Sequence, residues 1–138
     1  MFTHIMVPVD LAHAEKLGRS LKCAADLARH WGSKITYVGV SGAAPGALGH
    51  TPAEFSARLA RFAAAQSELE GIKTGHHAVI AHDPSSDLNK VLLKAVRDIG
   101  ADMVVMESHL PKATDYIWAS HGGFLAEHAG VSVMLVRA

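Results

Sequence analysis

The residues best suited to chemistry lie in two places. Asp10 closes the apolar run Ile5-Met6-Val7-Pro8-Val9, and the polar segment from Glu107 to Gly123 holds Ser108, His109, Ser120 and His121. Hydroxyls and free backbone amides are donors that need no countercharge, so Ser108, Ser120 and the N–H groups of Ala119 to Gly122 could ring an anion. Alternatively, Ser120 is only the N-cap of the helix that follows it. His109 and His121 flank that ring, where an imidazolium could pair with phosphate, or they are solvated loop histidines. Asp10 could accept from a ribose hydroxyl or a base edge; equally, it could begin a loop and order the next helix.

Other side chains carry less. No nucleophile elbow, no metal-ligand set and no Gly-Lys-Ser phosphate loop is present, so binding is better supported than catalysis and no catalytic residue is assigned. His76, His77 and His82 lack the spacing of a zinc site, and adjacent strand residues point to opposite faces. Cys23, the single cysteine, falls between Leu21 and Leu27 in a helical pattern and reads as a small core residue. Tyr116, Ile117 and Trp118 could wall an aromatic ligand, but packing is the favoured reading.

These positions depend on the elements around them. Ile5–Val9 reads as a doubly buried strand stopped by Pro8, and the spacing of Leu17, Leu21, Ala24, Ala25 and Ala28 predicts a helix from about Ala14 to Trp31, closed by Gly32. A second strand at Ile35–Val40 completes a right-handed βαβ unit. Ser41 to His50 is a small-residue loop. Thr51-Pro52-Ala53-Glu54 then opens a helix that runs to Glu70 and stops at Gly71. A weaker strand at His76–Ala81 and a helix from about Ser86 to Asp98 follow. Asp102–Met106 forms the fourth strand, Ser120–His128 a last helix and Val131–Val136 the fifth strand. Regular alternation specifies a doubly wound α/β sandwich, whose ligands bind beyond the strand C-termini where strand order reverses. Asp10 and the segment after Met106 both fall at strand C-termini.

The 138 residues fit a single domain, 1–138. Lys plus Arg equals Asp plus Glu at 13 each, and no basic cluster offers nucleic acid a footprint. No apolar run is long enough to span a bilayer, and the N-terminus does not read as a signal peptide, so a cytoplasmic protein is expected. An apolar last strand left bare invites pairing, so a homodimer through Val131 to Val136 is expected.

The opening "HIMVPVD", the strand-helix alternation and the closing "ADMVVMESHLPKATDYIWASHGGFLAEHAGVSVMLVR" resemble the universal stress protein family over essentially the full length. The closing stretch is most similar to the small nucleotide-binding branch with an "SHRP" motif. That resemblance implies a five-stranded parallel sheet in the order 3-2-1-4-5, of the adenine nucleotide alpha hydrolase-like type. It also implies a dimer, and ATP or AMP held between the first and fourth strands, with magnesium accompanying ATP.

By resemblance, Pro8, Val9 and Asp10 stand at the adenosine and Val38 borders adenine. Ser108, His109, Ala119, Ser120 and His121 stand at ribose and phosphates. The chain departs from the family where glycines are usual, carrying Glu107, Leu110 and Ala119, and Leu110 takes the place of the branch's arginine. Glycine lets backbone approach a phosphate, whereas a carboxylate at Glu107 aimed at it would repel it. The departures support an alternative, a family member without nucleotide that acts through dimerisation and protein–protein contacts. An enzyme with weak ATP hydrolysis is the least supported reading.

Overall fold

The computed structural model describes residues 1–42, 51–108 and 121–137. Five strands, β1 (His4–Pro8), β2 (Lys34–Gly42), β3 (Thr74–Ala81), β4 (Met103–Ser108) and β5 (Ser132–Arg137), form one sheet in the order β3-β2-β1-β4-β5. Every pairing is parallel, with Ile5 opposite both Ile35 and Met103 and with Ser108 opposite Arg137. The order is the one the family resemblance implies.

Parallel strands need helical crossovers, and the sheet is covered on both faces as a result. Ile5, Val7, Val9, Ile35, Tyr37, Met103 and Val105 pack with Leu21, Ala24 and Ala28 of α1 (Gly18–Trp31) and Leu59 and Ala63 of α2 (Pro52–Glu70). Met6, Val38, Val104 and Met106 meet Leu88, Leu92 and Val96 of α3 (Pro84–Ile99) and Leu125 of α4 (His121–His128) on the other face. Successive strand residues thus alternate between two cores.

Helix boundaries follow local chemistry. Thr51 Oγ1 accepts from Glu54 N at 3.1 Å with Pro52 at the first helical position, and Gly71 ends α2 at φ 65°, where its N–H reaches Ser67 O. At the N-terminal rim, Asp102 accepts from Thr3 N at 2.9 Å and His4 N at 3.0 Å, tying the starts of β1 and β4 together. Arg29 Nη1 donates to Glu70 Oε2 and to Glu70 O, both at 2.8 Å, joining the C-terminal ends of α1 and α2.

Several boundaries differ from the sequence expectation, among them the end of β2, which runs to Gly42, so that Ser41 and Gly42 belong to the strand rather than to the loop. A 3₁₀ segment, Leu11–Leu17, precedes α1, so the α-helix proper starts at Gly18 rather than near Ala14. Asp10 caps that segment and His13 kinks it, at φ −132°, ψ 30°. β3 begins at Thr74, helped by Ile35 N donating to Lys73 O. α3 starts at Pro84. β4 does not stop at Met106: Glu107 and Ser108 continue the ladder and are buried. Cys23 is only half-buried, with Sγ 3.6 Å from Met134 Sδ, so it bridges α1 and β5 rather than filling the centre.

Gly39 shows how closely α2 lies on β2. A Cβ there would sit 3.0 Å from Phe55 Cζ and 3.2 Å from Leu59 Cδ2, both on buried side chains. Gly39→Ala is expected to destabilise the fold by about 1–3 kcal/mol, since a methyl must displace packed carbon. A lowered urea midpoint checks this; an unchanged midpoint would mean that α2 yields without cost.

Candidate functional site at the strand C-termini

From β1 the chain crosses outward to β2 and β3, then returns past β1 to β4 on the other side. Strand order therefore reverses between β1 and β4, the place where open α/β sheets take ligands beyond the strand C-termini. Pro8, Val9 and Asp10 stand at the end of β1, and Glu107 and Ser108 at the end of β4.

Val9 is buried, and its N–H donates to Val38 O at 2.9 Å, which carries the extended chain past Pro8 to Asp10. The Val38 side chain is fully buried in the α3-facing core. Asp10 Oδ1 accepts from Ala12 N at 3.1 Å, and its Oδ2 lies 2.9 Å from His13 Nδ1. Asp10 thus orders the segment after β1, as one of its two sequence readings held.

Ser108 is 5% exposed and points, by strand alternation, to the face of Val104 and Met106. Its hydroxyl accepts a long hydrogen bond, 3.4 Å, from Arg137 Nη1. Glu107, also 5% exposed, points to the opposite face with Met103 and Val105, and among the described residues neither carboxylate oxygen has a hydrogen-bond partner. The acidic group that the sequence set against a phosphate is thus directed into the α1 layer.

His121 opens α4 and is buried, with Nδ1 hydrogen-bonded to Asn89 Oδ1 of α3 among its contacts. Burial holds its pKa below the usual 6.5. A histidine kept neutral is a hydrogen-bonding group rather than a phosphate countercharge. His109, Ala119 and Ser120, like Leu110, Lys112 and Trp118, lie outside the described residues.

Two residues that the sequence reading did not single out belong to this end. Asn89 is a polar position next to Leu88 on α3, and Arg137 ends the last strand. The first was legible as a polar break at the edge of an apolar helix stripe. The second needed the β4–β5 register. Among the described residues no three His, Cys, Asp or Glu side chains converge as a metal set, and no helix is long and apolar enough to cross a membrane.

The model of the universal stress protein family matches residues 1–137. Universal stress protein G of Salmonella typhimurium is 27% identical over 150 residues, covering 99% of this chain and all of that protein. The fold is shared with the universal stress protein of Archaeoglobus fulgidus in complex with dAMP, at TM-score 0.66 and 19% identity over 96% of each chain. An Arabidopsis thaliana family protein with AMP bound superposes at TM-score 0.65 and 15% identity, covering 98% of this chain and 91% of its own.

Burial also lowers the pKa of His4, aided by nearby Lys34 and opposed by Asp102 and a hydrogen bond to Ile99. The unfolded chain takes up protons at both histidines below about pH 6.5, where the native chain resists them. Stability is therefore fully present above that pH and is lost as pH falls through it toward the lowered native values. The urea midpoint should decline on acidification across this window, and His4→Gln should flatten the decline; a midpoint that rose would overturn the assignment.

Among the described residues, the Glu107 carboxylate has lost water without gaining a donor. Glu107→Met keeps the volume and removes the polar oxygens, so a stabilisation of about 1–3 kcal/mol is expected in chemical denaturation. A loss of stability would show that a donor holds the carboxylate.

Proposed function

The chain belongs to the universal stress protein family, and from that we propose that it is a cytoplasmic stress-response protein that binds an adenine nucleotide, ATP or AMP, without efficient turnover. One observation carries this reading. Parallel pairing of β1 and β4 sets Asp10 and the buried Ser108 at neighbouring strand ends where strand order reverses. In this reading Pro8, Val9 and Asp10 line the nucleoside side, and Val38 supports them through its carbonyl. Ser108 begins the phosphate side, which His109, Ala119, Ser120 and His121 complete.

Inefficient turnover follows from the side chains at hand. Asp10 already serves Ala12 N and His13, and Glu107 is turned to the other face of β4. Among the described residues, magnesium arriving with ATP is therefore assigned no protein carboxylate, and none is given the role of general base. The same reading forms the homodimer along β5, an edge strand on which Leu135 is 40% exposed.

A second reading, a family member that has lost nucleotide and works through protein–protein contacts, is favoured by Glu107, a buried carboxylate where the family usually has glycine. Mass spectrometry of ligand released from the purified protein, with calorimetric titration of ATP and AMP, separates the two. Bound adenine nucleotide and measurable heat are expected. No released nucleotide and no heat at millimolar ATP would sink the first reading.

A further inference from the structure

We propose that Arg137, at the end of the edge strand β5, is a phosphate-pairing residue of this site. The inference rests on the nucleotide-binding reading and identifies what gives that site its preference for a phosphorylated ligand.

At this edge of the sheet the strands end in Pro8, Gly42, Ala81, Ser108 and Arg137, so Arg137 is the one charged residue among the five. Its place is set by backbone. The β4–β5 ladder pairs Ser108 with Arg137, which keeps the arginine beside that serine whatever rotamer its long stem adopts. In the rotamer observed, Nη1 donates to Ser108 Oγ. The hydroxyl is buried while Arg137 itself is exposed, so the guanidinium spans from the strand end out to solvent.

The surrounding chemistry suits an anion. Ser108 and Arg137 lie on the same face as α4, whose first turn is held against β5: a Cβ at Gly122 would fall 2.3 Å from Leu135 Cδ2. The positive end of the α4 dipole thus opens on the face that carries Arg137. Glu107 projects to the other face of β4. His121 on this side is kept neutral by its burial and supplies hydrogen bonds rather than charge. A guanidinium presents five N–H donors in a planar fork that matches two phosphate oxygens, and Ser108 engages one of them. Leu110 stands where the similar branch has its arginine, and Arg137 restores a cation to the same end of the sheet from a different element.

The test compares the full-length protein with Arg137→Gln and Arg137→Lys by calorimetric titration with AMP, adenosine and inorganic pyrophosphate, and checks urea midpoints to exclude loss of fold. Arg137→Gln should weaken AMP about 10- to 100-fold, as expected for losing a charge-assisted pair, and leave adenosine within about twofold. Arg137→Lys should recover part of the loss, because charge returns without the fork. AMP affinity unchanged in Arg137→Gln overturns the proposal and leaves the nucleotide reading standing, and so does an equal loss for AMP and adenosine. If the natural chain binds pyrophosphate through Arg137 but neither AMP nor adenosine, the nucleotide reading fails and the anion site stands. If it binds none of the three, both fall.

Discussion

A sheet covered by helices on both faces leaves its strands almost no room for polar side chains, and much of this molecule follows from that constraint. Each strand residue faces one of two apolar layers, so a hydroxyl or carboxylate within a strand must be paired or moved to an end. β4 is buried along its whole length, and its two polar residues are its last two. The same constraint acts at the N-terminal rim, where Asp102 stands just before β4 and is satisfied by the amides of Thr3 and His4. That rim is closed by pairing within the chain. At the opposite rim polar groups gather at the strand ends.

The charges at the C-terminal rim are arranged by side of the sheet rather than by count. Asp10 is drawn into the turn after β1, Glu107 goes to the α1 layer, and Arg137 goes with Ser108 to the α4 side. Two carboxylates beside one another would be costly at a half-buried rim, since a like pair at 4 Å is worth about 4 kcal/mol at an effective dielectric of 20. Sending them to different surroundings removes that cost without removing the residues.

The fold was largely legible because its signals are local. The Thr51-Pro52 cap, the stops at Gly32 and Gly71 and the strand-helix alternation each state themselves within a few residues, and the resemblance supplied the strand order. At the candidate site, what the sequence could not show was orientation. Glu107 and Ser108 look like the start of a loop because they are polar; only pairing with Val136 and Arg137 shows that they continue a strand. Asp10 read equally well as ligand group or cap, because a carboxylate at a strand end can be both. Arg137 went unread because its neighbour is 29 residues away in sequence, and no local pattern announces a cross-strand partner.

Because β4 alternates between two layers, its pairing with β1 and β5 decides more than packing. Displacing β4 by one residue against its neighbours would exchange the two faces, turning the Glu107 carboxylate toward α4 and the Ser108 hydroxyl toward α1. The apolar residues Met103 to Met106 would tolerate such an exchange in hydrophobicity, being apolar at every position, so they say little about which alignment is correct. Discrimination falls to shape and to the ends: Asp102 holding Thr3 and His4 at the start, and Arg137 meeting Ser108 at the finish. The clamp at one rim of the sheet thus helps to set the sign of the electrostatic potential at the other.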